Sequence, residues 1–381
     1  LSAFPVHLHR KSNEKIHRIM KIKNIFFAAI LVLAGFSCSM EDDAIMNDVE
    51  KGIEEATEAY TVLDFGVAFN EMATKASTTV VPGEDRPATG NENNDEKKIS
   101  EVSLFLLEDG KVIGILIPQN RNQVSSNSDG SITLKDLKFV TKYKTNRTLE
   151  AHVVINGNQF LKNINIGDAQ SALNQQISGC LSADQLIKYG STRIVFGKDI
   201  TNSYSSPSVA ENNPTTILVK VSHVAARLDF SQFDVTLKGF EGNPTVVFDE
   251  AKFVNLQQNG KIVEGDASVN VKDGAFLNRS NRIGTRWTDM GTAYGYANQY
   301  KQDSEMNTAL YVKFTVDGRT FEKTYPINPA GITKEVDHNG IKGGYLYDIK
   351  VRWTITPDWG DSTIEFYTRD WVHNSIPEIV L

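Results

Sequence analysis

"KISEVSLFLLEDGKVIGILIP" (residues 98–118) holds two apolar runs joined by Glu108-Asp109-Gly110-Lys111. Asp-Gly between apolar runs is a strong hairpin signal, because the tight turn needs positive φ and glycine takes it without steric cost. The pattern returns in "ALYVKFTVDGRTFEKTYPI" (309–327), with Asp317-Gly318 at the turn. Around these hairpins, "SITLKDLKF" (131–139), "TLEAHVVINGNQF" (148–160), "TTILVKVSHVAARLDFSQFDVTL" (215–237), "VVFDEAKFVNL" (246–256), "YLYDIKVRWTITP" (345–357) and "STIEFYTRDW" (362–371) also read as strands.

One stretch departs from that pattern. In "SALNQQISGCLSADQLIKYG" (171–190), Leu173, Ile177, Leu181 and Leu186 recur at about helical spacing and predict a helix. Residues 199–214 are rich in Ser, Asn and Pro without periodicity and mark the expected domain junction, and residues 260–303 read as irregular. The expected fold is all-β: two tandem β-sandwich domains, 76–213 and 214–381, with a short helical insertion in the first.

Ahead of the first hairpin lies "DFGVAFNEMATKASTT" (64–79), which begins as a strand and ends as a polar tract. Leu63, Phe65, Val67 and Phe69 alternate with polar or small residues, the period-2 signature of one buried face. Further upstream, "MKIKNIFFAAILVLAGFSC" (20–38) has early lysines, a short apolar run and a small-residue exit, the pattern of a secretory signal. Its apolar run is shorter than the ~20 residues that span a bilayer. The signal makes sense only from Met20, so residues 1–19 read as upstream sequence. Gly35-Phe36-Ser37-Cys38 resembles a loose bacterial lipobox, making Cys38 the expected lipid attachment point. Residues 39–58 are strongly acidic and read as a solvated tether. Their start resembles an acidic signal for lipoprotein export to the outer face. The pro-segment is thus expected over 38–75, after upstream residues and signal at 1–37.

Chemistry is hard to find. The formal net charge of −7 and the lack of a basic patch exclude nucleic acid as an expected partner. His152, His223, His338 and His373 stand apart, with no pair at metal-ligand spacing, and His223 reads as a core or edge residue. HExxH, GxSxG, P-loop and dinucleotide-binding patterns are absent. No catalytic residue, metal or cofactor is expected. Asp229 and Asp249 read as strand-end residues. Cys180 has no partner in the mature chain and reads as a buried free thiol. Trp353 and Trp371 fall within strand runs and are expected in cores; Trp359, in "PDWGDS", is the one placed for an exposed contact such as a sugar ring.

"EVSLFLLEDG", "HVVINGN", "VSHVAARLDF" and the terminal "YDIKVRW" and "RDW", following a lipoprotein signal and an acidic segment, resemble in order and spacing the Bacteroidales fimbrillins, the FimA-like pilus subunits. The resemblance implies two transthyretin-like β-sandwiches made as a lipid-anchored outer-membrane precursor. It implies that a trypsin-like surface protease removes the first strand, and that the C-terminal segment of another subunit fills the groove left behind. Carried onto this chain, Cys38 takes the lipid, and Leu63, Phe65, Val67 and Phe69 fill the groove before processing. The cut is expected at Lys75-Ala76, although familiar members are cut after Arg; here Arg86 precedes Pro87, which such proteases cleave poorly, so either the protease accepts Lys or the cut lies elsewhere. Ile376, Ile379, Val380 and Leu381 are the donor-strand anchors, with Ile379 and Leu381 on one side and Ile376 and Val380 on the other. The implied partners are identical or related fimbrial subunits, the protease, and a host protein or glycan. A tip, accessory or anchoring subunit, or a glycan-binding surface lipoprotein, is the alternative role.

Overall fold

The computed structural model describes residues 58–69, 94–278, 282–329, 338–370 and 378–379. The first lobe uses β1 (Tyr60–Phe69), β2 (Lys98–Ile99), β3 (Val102–Glu108), β4 (Lys111–Leu116), β5 (Val124–Ser126), β6 (Ile132–Lys142), β7 (Thr148–Ile155), β8 (Gln176–Ser178), β9 (Lys188–Val195) and β10 (Thr215–His223). The second uses β11 (Ala226–Leu237), β12 (Val246–Val254), β13 (Leu256–Gln257), β14 (Asn259–Lys261), β15 (Val271–Lys272), β16 (Phe276–Asn278), β17 (Arg282–Ile283), β18 (Arg286–Gly295), β19 (Ala309–Val316), β20 (Arg319–Pro326), β21 (Tyr345–Ile355) and β22 (Gly360–Asp370). A last short strand, β23 (Glu378–Ile379), closes the series.

Both Asp-Gly hairpins form as their chemistry dictates. Asp109 and Gly110 have φ of 49° and 71°, and Asp317 and Gly318 have 44° and 81°, so each pair takes the left-handed conformation that a two-residue turn needs. β3 and β4 pair antiparallel across the first turn, β19 and β20 across the second.

The first lobe is one eight-stranded ladder in the order β4-β3-β7-β9-β10-β1-β6-β5. Its inward residues, among them Phe65, Leu104, Leu134, Val153, Phe196 and Val219, meet in a single core. Gly190 is required where β9 passes β10, since a Cβ there would lie 1.8 Å from the Lys220 carbonyl oxygen. In the second lobe, β18-β11-β21-β22 faces β16-β12-β19-β20. Between those sheets Phe233 stacks on Trp287 at 5.3 Å and Phe314 meets Trp353 edge-on at 5.1 Å.

The structure differs from the sequence reading at four points. Residues 171–190 form no helix: two 3-10 turns (Gln170–Leu173 and Ala183–Gln185) flank β8, which pairs with β14 of the second lobe. Gly179 and Cys180 both have positive φ, 76° and 55°, which a right-handed helix excludes. Leu173, Ile177 and Leu186 are instead buried together with Ala225, Tyr296 and Leu346, where the lobes meet. Residues 260–303 are also more ordered than their composition suggests, since they include the ten-residue β18. Finally, β10, expected to open the second domain, is a strand of the first sheet, and the chain crosses to β11 at residues 224–225. Asp229 and Asp249, expected at strand ends, lie within β11 and β12.

Candidate functional site

β1 occupies an interior place in its sheet, parallel to β10 on one side and antiparallel to β6 on the other. Phe65 lies opposite Ile217 on β10 and Leu134 on β6; Val67 lies opposite Val219 and Ile132. Leu63, Phe65 and Val67 are fully buried and Phe69 is 6% exposed, all in the first lobe's core. Val62 is fully buried too, which the alternation of the sequence did not reveal. A helix, α1 (Pro207–Glu211), packs against β1 and β6, started by Pro207 just after the capping hydroxyl of Ser206. A bulge between Leu63 and Phe65 breaks the ladder to β6, and there the Phe65 N–H donates to Asp64 Oδ1 at 2.9 Å.

The start of β1 is tied down by polar contacts. Tyr60 and Tyr204 exchange backbone hydrogen bonds at 2.8 Å each. Glu58 pairs with Lys142 and accepts from the Tyr60 hydroxyl at 2.5 Å. The Lys142 hydrogen bond, aided by Tyr60, holds the Glu58 carboxyl below its ordinary value. These groups are exposed, so they orient the strand more than they stabilise it.

The C-terminal segment returns to this same lobe. β23 pairs in parallel with β2, Ile99 opposite Ile379. Ile379 is 6% exposed and belongs to the core that contains Ile99, Val124 and the inner face of β1. Two of the regions singled out in the sequence, Leu63 to Phe69 and Ile379, are therefore brought into one apolar cluster. Cys38, Lys75, Ala76, Ile376, Val380 and Leu381 lie outside the described residues.

Sequence reasoning missed a buried ionic cluster just upstream of β2. Glu96 is fully buried; Arg227 Nη1 donates to its Oε2 at 3.0 Å and the Tyr294 hydroxyl to its Oε1 at 2.5 Å. Arg227 Nε also donates to Asp229 Oδ1 at 2.9 Å, and Thr292 donates to the same oxygen at 2.7 Å. Burial pulls the Arg227 pKa down, but Asp229 and Glu96 outweigh it and the net shift is upward. Burial, with the Glu96 carboxylate beside it, pushes the Tyr294 phenol far up. The cluster thus holds a charged guanidinium between carboxylates, as a buried pair requires.

The remaining candidates have quieter surroundings. Trp287 and Trp353 are buried in the second lobe, Trp359 is 56% exposed in a turn, and Trp371 lies outside the described residues. His223 is buried, and buried His152 is hydrogen-bonded to Tyr189 at 2.8 Å. His338 bonds the Tyr347 hydroxyl at 2.7 Å, while His373 lies outside the described residues. The Cys180 thiol is half-buried and receives the Gln159 amide at 3.1 Å; burial raises its pKa. Among the described residues, no cluster of His, Cys, Asp or Glu could hold a metal ion, and no helix is long and apolar enough to cross a membrane.

The described residues define an all-β architecture of sandwich type, more than half strand, in which the first and last strands share one lobe. Its structural neighbours include cell-adhesion and fimbrial proteins from Parabacteroides, Bacteroides and Porphyromonas. A candidate cell-adhesion protein from Parabacteroides distasonis superposes with a TM-score of 0.55 and 17% identity, over 83% of this chain and 98% of that one. A fimbrillin from Porphyromonas gingivalis gives a TM-score of 0.45 at 14% identity, over 83% and 99% of the two chains. The tip fimbrial protein Mfa3 of the same species gives 0.43 at 12%, over 82% and 100%. At such identities the likeness is one of fold, and the first of the three carries it. No family model and no curated protein matches the sequence.

Proposed function

We propose that this chain is a fimbrillin-type structural subunit of a cell-surface fimbria, assembling head to tail with identical or related subunits and supporting adhesion. In this reading a neighbour's C-terminal strand takes the place of β1 once the link through residues 70–93 is cut. The observation that carries it is the placement of β1, the first described strand of the chain and yet an interior strand of its sheet. Its loss would leave two open strand edges, β10 and β6, above a core lined by Ile132, Leu134, Ile217 and Val219. Unpaired edges over apolar side chains favour strand addition, because backbone pairing and side-chain burial are recovered together.

The covalent link decides when exchange happens. A tethered strand faces its slot at an effective concentration on the order of mM, so a free tail competes poorly before the cut. Cleavage at Lys75-Ala76 by a trypsin-like surface protease would abolish that advantage, while Cys38 would hold the precursor to the outer membrane through its lipid until then. Ile376, Ile379, Val380 and Leu381 would supply the incoming anchors.

Limited digestion of the purified precursor with trypsin, followed by electrophoresis without boiling, tests this. The expected result is a ladder of SDS-resistant polymers whose subunits start at Ala76, and its loss in Lys75→Gln. Polymers of unchanged length from Lys75→Gln would refute a trigger at Lys75.

A further inference from the structure

Between residues 58 and 101 the sequence offers trypsin-like proteases Lys75, Arg86 before Pro87, and the dibasic pair Lys97-Lys98. By sequence the dibasic pair is as good a target as Lys75. We propose that the fold shields Lys97-Lys98 from this class of protease and so sets the downstream limit of N-terminal processing. The inference rests on the reading that processing occurs, but the shield itself is a property of the folded chain.

Hydrolysis after Lys98 adds water across its bond to Ile99, leaving a Lys98 carboxylate and an Ile99 amine. The protease must hold the segment extended and must polarise the Lys98 carbonyl. The first is opposed by the 3-10 turn Asn94–Lys97 just before the bond, and the second by a partner the carbonyl already has. That carbonyl already accepts from Asn156 Nδ2 at 2.9 Å. The other end of the same amide, Asn156 Oδ1, accepts from the Ser100 N–H at 2.9 Å and the Ser100 hydroxyl at 3.0 Å. The Asn156 N–H donates to the Glu101 carbonyl at 3.0 Å, so one residue ties down the chain on the far side of the scissile bond.

On the near side, fully buried Glu96 is fastened to Arg227 and Tyr294. Lys98 Nζ is engaged by Asp95 at 2.7 Å. Alongside, β23 lies against β2 at Lys98 and Ile99, on the edge an approaching protease would use to pair with the segment as a strand. Cleavage here therefore needs local opening of a segment fastened at both ends and on one side.

Native-state trypsin digestion of the intact chain, read by intact mass over time, tests the shield. Wild type is expected to lose residues before Ala76 while the bonds after Lys97 and Lys98 survive. Asn156→Gly keeps the left-handed backbone (Asn156 has φ 58°) and removes only the amide; it is expected to raise cleavage after Lys97 or Lys98 by ~10-fold or more. Deleting residues 378–381 is expected to do the same by vacating the edge of β2. Lys188, fully buried in β9, is the internal control: a variant that simply unfolds is cut there as well. Wild-type cleavage after Lys97 or Lys98 as fast as after Lys75 would overturn the proposal. So would unchanged rates in both variants. Survival of the Lys97-Lys98 bonds with no cut at Lys75 would support the shield while defeating the processing reading.

Discussion

On the strand replacement proposed above, Phe65→Ala would separate what β1 does in the intact chain from its absence in a processed subunit. The side chain is fully buried between Ile217 and Leu134, and truncating such a phenylalanine costs about 3–5 kcal/mol. Val62, Leu63, Phe65, Val67 and Phe69 together bury side chains worth about 1.5–3 kcal/mol each, of the same order as the ~5–15 kcal/mol net stability of a whole domain. The lobe therefore tolerates an empty slot poorly, and a cut strand would stay in place until displaced. Urea unfolding of intact Phe65→Ala should show the full 3–5 kcal/mol loss. After the cut, the dissociation constant of the β1 peptide should rise by roughly 10²- to 10⁴-fold, and polymers should form faster. Finished polymers should match wild type in stability, because residue 65 is no longer in them. Polymers that retain residue 65 by mass spectrometry, or that carry the precursor's stability defect, would refute strand replacement.

Other perturbations probe the rest of the fold. Gly110→Ala puts a Cβ into open space at φ 71°, so it should cost about 1–2 kcal/mol from backbone strain alone, read as a lower urea midpoint. Arg227→Met leaves Glu96 buried without its guanidinium and should destabilise by about 3–5 kcal/mol, whereas Arg286→Met, which removes a largely exposed guanidinium 3.6 Å from Asp234, should stay within ~1 kcal/mol. Burial depresses the His152 pKa, against a smaller opposing pull from Glu150, so the folded chain resists taking that proton. The unfolded chain binds it below about pH 6.5, and stability should fall as pH drops through that value toward the lowered native one. His152→Gln should flatten this part of the acid limb in pH-dependent thermal melts.

The turns were legible because their determinants are local. An Asp-Gly pair needs no distant partner to prefer positive φ, and both hairpins close where that pair stands. The inner face of β1 was legible for a similar reason, since period-2 alternation encodes a buried face before any partner is known. The same rule failed in residues 171–190. Leu173, Ile177 and Leu186 are spaced for a helix, but they bury against Ala225, Tyr296 and Leu346, and the turn at Gly179-Cys180 lets β8 pair with β14. Apolar spacing says that side chains will be buried, not which surface will bury them.

The strand character of the chain, its two tight turns and the apolar face of Leu63, Phe65, Val67 and Phe69 were determined by the sequence alone, because φ preference and side-chain alternation act over a few residues. Only the tertiary structure decided that β1 lies inside its sheet between β10 and β6, and that Ile379 shares its core. It alone set Glu96 against Arg227, 131 positions away. No local pattern encodes such a pair, since both charges become tolerable only when the lobes meet and each supplies the other's missing solvent.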